Sequence, residues 1–197
     1  MRLLLIAALA VGLLGCAGGP GRLDPQLLRQ VHRLAGVRKL ELRLAEGGEV
    51  RQLAVLHQER GRAPEAVLGL LRQRLPGATV VELELERHAE HGWEHELLVR
   101  TADGRSCELA ATEDGTFLYL ECEVAAAALP KAITEAAARL CPECAFVEAE
   151  TLEAPDRRQI AVELRRGAAT QILVFTPSGE LIAQLAKVPG RIELPLP

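Results

Sequence analysis

The residues with the most chemical potential fall in three groups. His88-Ala-Glu-His91-Gly-Trp-Glu-His95 packs three of the five histidines into eight residues. Imidazoles at that density could ligate Zn²⁺ or Cu²⁺ with help from Glu90 or Glu94. Yet the segment falls where two strands turn around, and hairpin loops are polar for solvation alone, so no metal is assigned to His88, His91 and His95. Cys141-Pro-Glu-Cys144 has the spacing of a redox site or half a zinc knuckle. It lies at a helix C-terminus, where the dipole does not stabilise a thiolate, and there is no second such pair to complete a zinc site. A structural disulfide is the expected state. Glu82, Glu84 and Glu86 alternate along a strand and read as solvated charge on its outer face.

Nucleophilic catalysis has little to work with. The chain holds two serines, Ser106 and Ser178, and no asparagine. Neither serine sits in a G-x-S-x-G elbow or has a histidine at a motif distance. No catalytic residue, no enzyme activity and no cofactor are expected. The net charge is −4, and the arginines are scattered among 27 acids, so no basic face points to nucleic acid.

The fifth cysteine has a different role. Met1-Arg2 is a short positive region, Leu3 to Leu14 is an uncharged apolar run too short to span a bilayer, and Leu13-Leu14-Gly15-Cys16 follows. This end resembles the lipobox of bacterial lipoproteins, with Leu14 a departure from the usual small residue. The resemblance implies cleavage before Cys16, acylation of Cys16 with palmitate-type chains, and anchoring at the membrane. Gly18 is not the aspartate that retains many such proteins in the inner membrane, so the outer membrane, facing the periplasm, is the expected address. Residues 1–15 are thus read as signal peptide and 16–23 as a lipidated tether.

The elements that must position the rest repeat. At an offset of 66, Pro64-Glu-Ala-Val67 lies over Pro130-Lys-Ala-Ile133, Pro76 over Pro142, and Val81-Glu82 over Val147-Glu148. Each copy begins with a helix, Pro64 to Leu75 and Pro130 to Leu140, whose apolar residues recur at helical spacing. Strands follow at 78–87, 93–101, 105–112 and 116–124, then at 145–152, 159–165, 170–175 and 180–187. Asp103-Gly104, Asp114-Gly115 and Pro177-Ser-Gly179 mark their turns. The expected fold class is α+β: two repeated units, 63–126 and 127–188, of one helix packed on a four-stranded antiparallel sheet. A shorter helix-hairpin segment at 24–62 precedes them, with a helix from Pro25 to Leu34 and a hairpin around Gly47-Gly48. A Pro-rich tail at 189–197 closes the chain.

Leu75-Pro-Gly-Ala-Thr-Val-Val-Glu-Leu-Glu84 and Glu113-Asp-Gly115 carry the running pattern of PepSY-like (BLIP-like) domains, small modules of bacterial secreted proteins and lipoproteins. The resemblance covers about residues 63–124 and, more weakly, 129–187, where Cys141-Pro-Glu-Cys144 replaces Pro-Gly. It implies peptide binding or protease inhibition and supplies no catalytic residues. The expected function is a lipid-anchored envelope module docking a peptide, a protease or an envelope protein through its sheets. The alternatives are a structural or assembly lipoprotein with a fixed partner, or a metal or redox sensor.

For the four remaining cysteines, a two-residue turn at Asp114-Gly115 pairs residues whose numbers sum to 229, opposing Cys107 and Cys122. A three-residue turn with a bulge at Gly115 shifts that sum to 228 and separates them. The expected disulfides are Cys107–Cys122 and Cys141–Cys144.

Overall fold

The computed structural model describes the backbone of residues 37–44, 50–57, 63–88 and 92–187. The expected helix at 25–34 and the tail at 189–197 lie outside them, as does Cys16. Ten strands follow in sequence order: β1 (Val37–Leu44), β2 (Val50–His57), β3 (Thr79–His88), β4 (Gly92–Arg100), β5 (Ser106–Ala111), β6 (Phe117–Glu123), β7 (Ala145–Ala154), β8 (Arg157–Arg166), β9 (Ala169–Phe175) and β10 (Leu181–Lys187). Helix α1 (Glu65–Arg74) precedes β3, and α2 (Lys131–Leu140) precedes β7. No helix among the described residues is long and apolar enough to cross a membrane.

The fold class differs from the α+β expectation of two helix-on-four-strand units. All ten strands belong to one sheet ordered β1 to β10, so the protein is mainly β, with two α-helices among the described residues. The reason is visible at β6, which pairs antiparallel with β7 from Leu120↔Glu153 to Glu123↔Glu150. Alternating hydrophobicity tells which face of a strand is covered, but not whether its outer edge ends a sheet. Tertiary contacts nevertheless divide the chain into two compact units, with the boundary between Leu118 and Tyr119.

In the first unit, Pro64 precedes α1 and its carbonyl accepts the first helical bond from Leu68 N–H at 3.0 Å. Proline suits this end because the N–H it lacks would have no partner there. Val67 and Leu71, one turn apart, are the buried residues of the helix. On the sheet, Leu97, Val99, Cys107, Leu109 and Ala111 are buried. In the second unit, Ile133, Ala136 and Ala137 of α2 join Leu129 and Cys141 in a core with Ala149, Ile160, Val162, Leu164, Leu173 and Phe175. The i, i+3, i+4 spacing on the helix and the period-two spacing on the strands bring these side chains together.

One turn design recurs at Thr101-Ala-Asp-Gly-Arg105, Thr112-Glu-Asp-Gly-Thr116 and Thr176-Pro-Ser-Gly-Glu180. Each threonine N–H donates to the carbonyl four residues on, at 2.9, 3.1 and 2.8 Å, and its own carbonyl accepts from the glycine N–H. The threonine hydroxyl also meets the side chain two residues on: Asp103, Asp114 or Ser178. Bonds from Thr101 and then Arg105 hold the Asp103 carboxyl down to about 2. Gly104, Gly115 and Gly179 have φ of 86°, 85° and 94°, the left-handed position that closes a three-residue hairpin loop. This corrects the two-residue turn assumed at Asp114-Gly115: Thr112 faces Thr116, a sum of 228. In the β9–β10 hairpin the same turn is followed by a bulge between Leu181 and Ala183, which advances the register by one residue.

Candidate functional site

The strand registers line up carboxylates. In the first unit Glu84 is opposite Glu96 and Glu86 opposite Glu94, while Leu83 and Leu97 are partners on the alternate face. Glu84, Glu86, Glu94 and Glu96 are only 6, 2, 2 and 3% exposed, and each has a hydrogen-bonding or electrostatic partner. The reading of Glu82, Glu84 and Glu86 as solvated charge is therefore overturned: Glu82 is half-buried and the other two are buried. Period-two alternation separates the faces correctly but does not reveal that the polar one is covered. Carboxylate oxygens of Glu84, Glu86 and Glu96 lie within 4.8 Å of one another, a set of hard oxygen donors of the kind a cation accepts.

The second unit repeats the arrangement with less burial. Glu148 is opposite Glu163 on β8, and Glu150, two residues along β7 on the same face, is opposite Glu123 on β6. Glu163 is 7% exposed, Glu148 and Glu150 are half-buried, and Glu123 is exposed. Glu148 Oε1 and Glu163 Oε2 are buried without a hydrogen-bond partner. Burial pushes the Glu148 carboxyl up to about 7; Glu163 and Glu123 reinforce this, and Lys187 opposes it. Burial also raises Glu163, against the opposing charges of Lys187 and Arg165.

Cys141 and Cys144 are joined by a disulfide with their Cα atoms 5.3 Å apart. The bond closes the turn after α2, where Cys141 N–H donates to Ala137 O at 3.0 Å and Cys144 N–H to Cys141 O at 3.1 Å. Cys107 and Cys122 are disulfide-bonded as well and are 2 and 8% exposed.

Among the described residues, the register separates the positions of His88 and His95. His95 pairs with Leu85 across β3–β4, and His88 pairs with Gly92. Positions 85 and 88 differ by an odd number, so the register assigns the two histidine positions to opposite faces of the sheet. His91 lies outside the described residues. His95 is half-buried, its Nδ1 has no hydrogen-bond partner, and burial lowers its pKa against the opposing charge of Glu113. Ser106 opens β5 opposite Arg100, and Ser178 lies in the third hairpin turn with its hydroxyl 2.8 Å from that of Thr176.

Sequence reasoning missed the glutamate rows. The signal was present: Glu at alternate positions on neighbouring strands, which a hairpin register brings face to face. The sheet ends are a second feature. Among the described residues β10 pairs only with β9, and Leu181, Ile182 and Leu185 along it are 39, 40 and 36% exposed.

No protein-family model matches the chain, and no curated protein does. Solved structures do resemble it. A BLIP-like protein from Bacteroides fragilis aligns with a TM-score of 0.55 and 21% identity, over 68% of this chain and 94% of that one. A protein of Bacteroides eggerthii described as periplasmic aligns at 0.52 with 17% identity, over 64% and 90%. A DUF2874 family protein from Bacteroides ovatus aligns at 0.52 with 13% identity, over 64% and 89%. The chain has the BLIP-like fold.

Proposed function

We propose that the protein is a lipid-anchored binding module of the bacterial cell envelope that captures a polypeptide by adding it as a strand to β10. The β10 edge carries this reading. A terminal strand presents N–H and C=O groups to which one more strand can pair, and edges are commonly shielded by charge, proline or a bulge; β10 has its bulge near the start, between Leu181 and Ala183, and runs regularly from Ala183 to Lys187 without proline. Here the strand Leu-Ile-Ala-Gln-Leu-Ala-Lys has one charge, at its end, and exposes Leu181, Ile182 and Leu185. Main-chain bonds would supply affinity, and the exposed apolar side chains would supply selectivity. The lipobox at Cys16 and the likeness to proteins described as periplasmic support an envelope address. Acyl chains on Cys16 contribute about 0.8 kcal/mol per buried CH₂, and more than one chain makes the anchor stable.

Two experiments test this reading. Cys16→Ser should abolish cleavage by lipoprotein signal peptidase and palmitate labelling; normal labelling of that variant refutes the anchor. A photo-crosslinker at Ile182 should capture an envelope polypeptide in living cells, whereas one at Glu135 on α2 should not. Equal capture from both positions refutes docking at β10. A constitutive one-to-one complex would identify a fixed structural partner, whereas capture that varies with growth conditions would identify a transient ligand.

A further inference from the structure

We infer that the strand added to β10 is the β10 of a second copy of this chain, paired antiparallel across a twofold axis. The inference rests on the reading that the β10 edge accepts a strand, and it names the partner. Every residue of β10 except Ala183 is exposed, whereas Ile172, Leu173, Val174 and Phe175 on the neighbouring β9 are all buried. Successive strand residues point to opposite faces, so β9 is covered on both sides and β10 on neither. Among the described residues nothing pairs with the outer edge of β10. Its exposed leucine and its main-chain groups thus lack the neighbours that the same groups have one strand inward.

The sequence of β10 complements itself. In a twofold antiparallel pair some residue must stand opposite its own copy, because directly opposed side chains share a face. The regular stretch runs from Ala183 to Lys187, beyond the bulge, and Leu185 is its middle residue. An axis at Leu185 pairs the whole stretch: Leu185 with Leu185, Gln184 with Ala186, and Ala183 with Lys187. An axis at Gln184 would carry the pairing into the bulge. The centre is then an apolar pair, and the lysine stem lies over an alanine of the second copy. The two Lys187 residues stand four positions apart, about 14 Å, beyond the ~8 Å screening length of physiological salt. A parallel, in-register pair would set them side by side. Antiparallel order instead directs each Lys187 toward the end where the other strand follows Glu180, which is also exposed. Opposite charges meet at both ends, and no like charges are opposed.

Exported full-length protein carrying Leu185→Cys tests this. Opposed residues of an antiparallel pair have Cβ atoms about 4.5–5.5 Å apart, within reach of a disulfide. Leu185→Cys should give a reducible dimer, and Glu135→Cys on α2 should not. Ala183→Cys alone should stay monomeric, whereas Ala183→Cys combined with Lys187→Cys should link two copies. Sedimentation of the purified mature protein in detergent should show a dimer. Leu185→Lys opposes like charges at the axis and should weaken that dimer about tenfold or more, against less than about twofold for Glu135→Lys. A monomeric wild type, or linkage by Ala183→Cys as strong as by Leu185→Cys, overturns the proposal. Capture of a different polypeptide at Ile182, with Leu185→Cys monomeric, refutes the second copy and leaves the β10 edge as a docking site. No capture at Ile182 beyond the Glu135 control, again with Leu185→Cys monomeric, removes both.

Discussion

The two helices end in the same way by different means. At both ends the residue after the helix donates its N–H four residues back, Leu75 to Leu71 O at 2.8 Å and Cys141 to Ala137 O at 3.0 Å. Its carbonyl then accepts from the residue three positions on, Ala78 in one case and Cys144 in the other, both at 3.1 Å. After α1 the turn uses Pro76 and Gly77, with Gly77 at φ 78°. After α2 it has no glycine, and the Cys141–Cys144 disulfide closes the same loop. One turn is permitted by a residue without a side chain; the other is held by a covalent bond. The same contrast marks the hairpin turns packed beside the helices. A Cβ on Gly115 would lie 3.0–3.1 Å from Ala66 Cβ, C and O, whereas one on Gly179 would meet Ala132 Cβ at 2.9 Å and little else as closely. The first contact is with backbone and the second with one methyl.

Gly115→Ala should therefore be the most damaging of these changes, costing about 3 kcal/mol from left-handed strain and the backbone clash together. Urea unfolding followed by the fluorescence of Trp93, the chain's single tryptophan, reads it, and Ala66→Gly should rescue it only in part. Gly179→Ala should cost about 2 kcal/mol, and Ala132→Gly should relieve most of its steric share; failure of that rescue breaks the contrast. Reducing Cys141–Cys144, or replacing both residues by serine, should cost about 2 kcal/mol for a four-residue loop in the chain-entropy account. The loss should show in amide exchange of α2 and leave α1 unchanged. A pH effect comes next. Glu148 is raised from 4.5 to about 7 on folding, so the native state binds more protons than the unfolded chain between those values. Its stability contribution is full below about 4.5 and is lost as pH rises through 7. Melting temperature should fall from pH 5 to pH 8, and Glu148→Gln should remove part of that fall. The smallest effect should come from Glu65→Gln, which breaks an exposed 2.7 Å pair with Arg72 and should cost about 0.5 kcal/mol or less.

Much of the local structure was legible. Prolines before α1 and α2, period-two strands and Asp-Gly or Ser-Gly turns place the ten-residue helices and β3 to β10 within about two residues of where they lie, because each is a local stereochemical signal. The fold class was not, because β6 pairing with β7 is a tertiary choice that alternation leaves open. The burial of Glu84 and Glu86 was not legible either, since a polar face reads the same whether open or covered. The disulfide pairing of Cys107 and Cys122 turns on one residue of register. The Thr112–Thr116 turn gives a sum of 228, and a bulge like that between Leu181 and Ala183 would restore 229. Peptide mapping without reductant checks it: one peptide pair holding Cys107 with Cys122 and another holding Cys141 with Cys144 are expected, and any link between the two pairs would contradict the structure.

The central claim is that β10 accepts a strand. Amide exchange of the complex captured through Ile182, compared with the free protein, measures it most directly. Strand addition predicts slowed exchange at alternate amides from Ala183 to Lys187, with no change across α1 or α2. Unchanged β10 amides, with protection on a helix instead, would contradict it.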